Sequence, residues 1–168
     1  EYNAYGYFSD DHGKSWQVSE DVPIASSNEA IGTVLPNGEL MLNIRQQNGT
    51  PKRRLIARSN DGGQSWDSVY FDPELITPVC QSSLFLFQNA THTLLLYSGP
   101  NSTEERIRMT LKASENNGAT WPIKKEIYAG ISAYSDLTQI NDSQIGLLFE
   151  KENKTINFAL FSIDWLLN

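Results

Sequence analysis

Few residues of this 168-residue chain could do chemistry by type and spacing alone. Cys80 is the single cysteine, so no disulfide forms within the chain. His12 and His92 lie in or beside turns, too few and too scattered for a histidine-based metal site. No metal or cofactor is expected. Asp11 and Asp61 occupy matched places in two similar short segments, SDDHGKSW and SNDGGQSW, which marks them as turn parts. What is left is a scatter of arginines, one glutamate and one tyrosine. A guanidinium can grip a carboxylate with two charge-assisted hydrogen bonds. Yet Arg45, Arg54, Arg106 and Arg108 sit in strand-like runs, where an arginine usually faces solvent. A phenol with a pKa of roughly 10 is a weak nucleophile without a base beside it. Tyr134, between serines in GISAYSDL, reads alone as a loop anchor, and Glu29 in Ser-Ser-Asn-Glu as an exposed acid.

The elements that must position such residues announce themselves by repetition. SDDHGKSW (9–16), SNDGGQSW (59–66) and SENNGATW (114–121) share Ser, then Asp or Asn two on, Gly two further and Trp three beyond. The three copies start at residues 9, 59 and 114, a period of 50 to 55 residues that argues for propeller blades or solenoid turns. Gly and Asn tolerate positive φ, and an Asp or Asn side chain can bond the N–H groups of its own turn. Trp16, Trp66 and Trp121 are expected to fold back as buried plugs.

Nearly every other segment reads as a short strand before a turn. Tyr2–Phe8 leads into the first repeat and Trp16–Val18 leaves it. Ala30–Leu35 and Glu39–Arg45 flank Pro36-Asn37-Gly38, a hairpin signal. Arg54–Arg58 and Ser68–Phe71 bracket the second repeat. Ser83–Phe87 and Thr93–Tyr97 form another hairpin. Arg106–Ala113 and Pro122–Tyr128 bracket the third repeat. Leu137–Ile140, Ile145–Glu150 and Ile156–Ser162 follow, and Ile163–Leu167 ends as a strand or a short helical turn. No window keeps a helical period. About a dozen strands at four per blade make about three blades, and propellers close with typically 4–8. The expectation is an all-β half-propeller over residues 1–168 without an internal domain boundary. The net charge of −7 argues against nucleic acid, and no apolar run approaches a membrane span of roughly 18 residues. The chain starts inside a strand-like run, which suggests a portion preceding Glu1. Five N-x-Ser/Thr sequons, at Asn48, Asn89, Asn101, Asn141 and Asn153, are compatible with glycosylation in a secreted or lysosomal protein.

The repeat SxDxGxxW resembles the Asp box of sialidases, which are six-bladed propellers; some other propeller glycosidases and sorting receptors also carry it. NEAIGTVLPNGELMLNIR (28–45), RIRMTLKASENNGATW (106–121) and GISAYSDL (130–137) resemble the C-terminal half of bacterial-type exo-α-sialidases. The likeness runs over essentially the whole chain, which would then contribute about three of six blades. It implies that Tyr134 matches the tyrosine nucleophile and Glu29 the glutamate paired with it. Arg45 and Arg108 match two of the three arginines that bind the substrate carboxylate. The first arginine of that triad, in a Phe/Tyr-Arg-Ile-Pro motif, and the acid/base aspartate belong to the family's N-terminal half. Asn116 departs from the box but keeps its acceptor oxygen. Cys80-Gln81 resembles a family segment near the pocket, without an assigned role. Arg53, Arg54 and Arg106 read as surface.

The implied chemistry is coherent. Sialic acid carries a carboxylate beside its anomeric carbon, which arginines recognise and which would repel a carboxylate nucleophile. Sialidases with a tyrosine nucleophile are an exception to the two-carboxylate scheme of glycosidases. The resemblance implies retaining hydrolysis of terminal sialic acids on glycoconjugates, with the N-terminal half as a required partner. It also implies a secreted, periplasmic or cell-surface location, lysosomal in a eukaryote. Two alternatives stand beside it: a glycan-binding propeller without turnover, and a trans-sialidase with the same residues and different acceptor-site aromatics.

Overall fold

A computed structural model describes residues 2–168. Among them run twelve strands and one short helix. In chain order the strands are β1 (Tyr7–Phe8), β2 (Gln17–Val18), β3 (Ser27–Val34), β4 (Leu40–Gln46), β5 (Arg53–Ser59), β6 (Ser68–Ile76), β7 (Ser83–Gln88), β8 (Thr93–Pro100), β9 (Ile107–Ser114), β10 (Ile123–Asn141), β11 (Gln144–Lys151) and β12 (Thr155–Ser162). The tail Ile163–Leu167 is helix α1, capped by the Ser162 side chain, which accepts from Trp165 N–H.

The strands meander antiparallel in three sheets: β1-β2, β3-β4-β5-β6 and a six-stranded β7 to β12. β3 to β6 form one complete blade. β7, β8, β9 and the first half of β10 form the next. The second half of β10 with β11 and β12 begins a third, and β1-β2 is the outer hairpin of the blade before. The long β10 corrects the sequence expectation of two separate strands: it pairs with β9 through Ile131 and with β11 from Ser132 onward. The expected first strand is also shorter, with only Tyr7–Phe8 paired. The β3–β4 hairpin closes as its Pro-Asn-Gly implies, with Gly38 at φ +87° and its N–H on Leu35 O at 2.8 Å.

The core lies between blades. Leu35, Met41, Ile56, Leu75, Leu84, Leu95, Tyr97 and Trp121 fill the space between the first complete blade and the second. Phe87, Leu96, Met109, Leu111, Leu137, Ile145 and Leu147 fill the next, closed below by Ile163 and Leu166 of α1. Each large aliphatic side chain so buried contributes about 1.5–3 kcal/mol. The outer face of β11 and β12 stays uncovered: Leu148, Ile156, Phe158 and Leu160 are exposed, with Leu148 directly opposite Phe158.

The three repeats close equivalent hairpins, β1–β2, β5–β6 and β9–β10. Asp61 Oδ1 accepts from Ser59 Oγ and Ser65 N, while Oδ2 accepts from Ser65 Oγ at 2.6 Å. Asp11 repeats the pattern with Ser9 and Ser15. Asn116 Oδ1 takes the same two bonds from Ser114 Oγ and Thr120 N; its Nδ2 donates to Thr120 Oγ1 where the aspartates accept. Gly13, Gly63 and Gly118 have φ between +78° and +89°, a region glycine enters without strain. The serine hydrogen bonds, led by those of Ser15, hold the Asp11 carboxyl at about 2. Those of Ser65 and Ser59 hold Asp61 well below the usual carboxylate range. The tryptophans differ. Trp121 is 3% exposed and donates Nε1 to Asp72, and Trp66 is half-buried with Nε1 on Glu20 O. Trp16 is 62% exposed, against the expectation of a plug, because its hairpin has only two residues per strand and no neighbour over it.

Candidate active site

Three of the four residues singled out from the sequence meet at the blade tops. Tyr134 donates its hydroxyl proton to Glu29 Oε1 at 2.6 Å. Arg45 Nη1 donates to the same phenol oxygen at 3.2 Å and lies 2.6 Å from Glu29 Oε2. That Glu29 oxygen accepts no aligned hydrogen bond, so its contact with Arg45 is ionic. Arg45 Nε donates to Asn28 Oδ1 at 2.8 Å, which fixes the guanidinium beside the glutamate.

Local irregularities place each group. Glu29 has φ +33° and sits in the register shift between Asn28 and Ala30 on β3. That bulge turns its carboxylate toward Arg45 at the end of the adjacent β4. Tyr134 lies in the register shift between Ser132 and Ser135, where β10 changes partners. Bulges re-aim side chains in this way at sheet rims. The hydrogen bond to Glu29, then burial, holds the Tyr134 phenol above its ordinary pKa, while Arg45 and Arg106 pull it down. The resting phenol is therefore neutral and already in hydrogen-bond contact with the Glu29 carboxyl group. The cavity beside them has a volume of about 540 Å³, and Gln81, Asp136 and Glu150 line it with Tyr134. No residue of the three repeats lines it.

Arg108 does not join the cluster, a correction to the placement expected for it. Its φ is +63°, in the irregular stretch of β9 between the pairs Tyr128↔Met109 and Ile131↔Ile107. Its side chain is 53% exposed and its Nε donates to Glu126 at 2.7 Å. Arg106, read as surface from the sequence, stands there instead. Its guanidinium carbon lies 5.5 Å from the centre of the Tyr134 ring, and its Nε and Nη2 both donate to Val79 O. Residues two apart share a face in a regular strand, so spacing alone did not separate these arginines. The left-handed turn at Arg108 does. Arg54, also read as surface, is fully buried. Cys80 is buried beside it, and burial pushes its thiol up to about 11.

Fold and site together define a sialidase-type propeller domain. A model of the BNR repeat-like domain matches residues 1–147. The chain belongs to that family. It is 32% identical over 171 residues to a sialidase of Micromonospora viridifaciens, covering 98% of this chain and 26% of that protein. Among solved structures, a Hadza microbial sialidase superposes with a TM-score of 0.85 at 34% identity, over 95% of this chain and 32% of that one. An intramolecular trans-sialidase from Ruminococcus gnavus, solved with oseltamivir carboxylate, superposes with a TM-score of 0.77 at 25% identity, over 95% of this chain and 38% of that one. The chain thus spans between 26% and 38% of the length of these relatives.

Proposed function

We propose that this chain is the C-terminal half of an exo-α-sialidase propeller that releases terminal sialic acids from glycoconjugates with retention. The observation that carries the reading is the 2.6 Å hydrogen bond from Tyr134 to Glu29, with Arg45 on both groups. Arg45 and Arg106 bind the substrate carboxylate; Arg106 spends Nε and Nη2 on Val79 O and keeps Nη1 for a ligand. Glu29 takes the phenolic proton as the Tyr134 oxygen bonds to the anomeric carbon. The glycosidic bond breaks, and the leaving oxygen takes a proton from an acid supplied by the N-terminal half. Water, giving one proton to the conjugate base of that acid, then displaces the tyrosine, whose oxygen recovers its proton from Glu29. The neutral phenol approaches the substrate carboxylate without charge repulsion.

The uncovered apolar face of β11 and β12 supports a covering N-terminal half. Glu150 stands on that face, opposite Ile156, and also lines the Tyr134 cavity. A substrate class of sialylated glycoconjugates supports a secreted, periplasmic or cell-surface location, lysosomal in a eukaryote. The test is an assay on a fluorogenic sialoside with residues 1–168 alone and with the N-terminal half added. The segment alone is expected to be silent, since general acid catalysis contributes about 10²–10⁴-fold and the pocket is half built. Full activity from these residues alone would defeat the half-propeller reading. A trans-sialidase shares the same residues, and the Ruminococcus gnavus neighbour is one. Release of free sialic acid, rather than its transfer to a hydroxyl acceptor, separates hydrolysis from transfer.

A further inference from the structure

Where β10 leaves β9 for β11, side chains take over from the strand ladder. Glu150 accepts the Tyr134 N–H at 3.1 Å. Gln81 meets both peptide groups of Ser135: its Oε1 accepts from Ser135 N at 3.0 Å, and its Nε2 donates to Ser135 O at 3.0 Å. One primary amide on the N–H and C=O of a single residue imitates a neighbouring strand. The complementary donor and acceptor fix the orientation of the amide.

Gln81 is itself held on both sides. Arg54 donates Nη1 to Cys80 O at 2.6 Å and Nε to Asn43 Oδ1 at 2.6 Å. Asn43 donates Nδ2 to Ser82 Oγ at 3.1 Å. Asn43 stands on β4 two residues before Arg45, and Arg54 stands on the adjacent β5. A polar chain therefore runs from Asn43, on the strand of Arg45, to both neighbours of Gln81: directly to Ser82, and through the buried Arg54 guanidinium to Cys80 O. From Gln81 it reaches the residue after Tyr134. Arg54 forms no ion pair with a carboxylate among the described residues, and its buried Nη2 has no partner there. Burying a cation unpaired is costly, and apolar packing would join two blades at lower cost. The costly tie lies where Tyr134 of one blade must meet Glu29 and Arg45 of another.

We propose that Gln81 is a positioning residue for Tyr134. Through the Arg54–Asn43 network it sets the phenol against Glu29 and Arg45, which stand on the far side of the intervening blade. The proposal rests on the reading of Tyr134 as the nucleophile.

The experiment uses the enzyme assembled from this chain and its N-terminal half, with a fluorogenic sialoside. Gln81→Met keeps side-chain length and removes both hydrogen bonds. Its kcat is expected to fall about 10- to 100-fold, the scale of a misplaced reacting group or a lost supporting contact. KM is expected to stay within about threefold, because the arginines that bind the carboxylate do not hang on Gln81. Gln81→Glu adds a signature that a purely structural residue lacks. Ionised, it accepts from Ser135 N–H but sets a lone pair against Ser135 C=O; protonated, it recovers a donor. At Cys80, the residue before Gln81, the charges of Arg106 and Arg54 favour an anion and those of Glu150 and Glu29 oppose it. The kcat of Gln81→Glu relative to wild type is therefore expected to rise as pH falls through the range where its carboxyl protonates. Wild-type kcat in Gln81→Met, or a Gln81→Glu profile parallel to wild type, overturns the proposal. Should Gln81→Met fail to fold, the Gln81→Glu ratio decides alone. An assembled wild-type enzyme without activity sinks the nucleophile reading, and this proposal with it.

Discussion

The Asp-box turns and the Tyr134 cluster are both small polar constellations on strand ends, yet they are built in opposite ways. The box hydrogen bonds of Asp61 join residues two to four apart in sequence. The phenol of Tyr134 meets Glu29 across 105 residues and Arg45 across 89. A box is finished as soon as its eight residues exist. The cluster exists only once three successive blades are packed, so every part of it depends on the register of strands elsewhere. The boxes are construction, repeated and interchangeable. The cluster occurs once and borrows its geometry from bulges.

The strongest way to sharpen this contrast is Tyr134→Phe in the assembled enzyme. Turnover is expected to fall on the order of 10³-fold or more, while equilibrium binding of sialic acid stays near wild type. Near-wild-type kcat would end the covalent mechanism.

The next largest effect separates two arginines. Arg106→Ala is expected to raise the Kd for sialic acid by about 10- to 100-fold, the scale of hydrogen bonds to a charged group. Arg108→Ala loses only an exposed pair with Glu126 and is expected to leave Kd unchanged. Isothermal titration of both variants checks this; equal losses would return Arg108 to the site.

Acid conditions bear on the boxes and not on their geometry. Asp11 has its carboxyl held at about 2, and Asp61 lies lower still. Unfolded aspartates titrate near about 3.9. The stabilisation is thus present above pH ~4 and lost as pH falls toward the folded values. Asp61→Asn keeps the acceptor oxygen, as Asn116 does, and is expected to flatten this part of the acid limb in urea melts. An unchanged slope would show that the box carboxylates do not carry it.

Asn116→Asp should have the smallest effect. Thr120 Oγ1 turns from acceptor to donor, and stability is expected to change by no more than about 0.5 kcal/mol. A larger shift in the melting temperature would mean that the third turn is not equivalent to the others.

The same contrast explains what could be read from the residues. The box turns follow from Gly and Asx at fixed offsets, and the alternation of β3, β4 and β12 marks the strands. The continuous β10 was hidden because Gly130-Ile-Ser-Ala-Tyr-Ser-Asp lacks the β-branched run of a strand; it is one because β9 and β11 pair with it in turn. The choice between Arg106 and Arg108 hinged on a single positive φ that no propensity marks. Gln81 stood in a segment without periodicity, and its partner Ser135 lies 54 residues away.

The shared strand β10 bears on how such a chain can have arisen. Its nineteen residues serve two blades, one along Ile123–Ile131 and the next along Ser132–Asn141. A gene segment cut at that blade boundary would interrupt one continuous strand, although each half pairs with a single neighbour, β9 or β11. The connection between β6 and β7 offers a seam that interrupts no strand. There residues 77–82 carry no strand, and a break leaves a complete four-stranded blade on its N-terminal side. Recombination between relatives at this seam would exchange whole blades with every strand intact, whereas a crossover near Ile131 would interrupt β10.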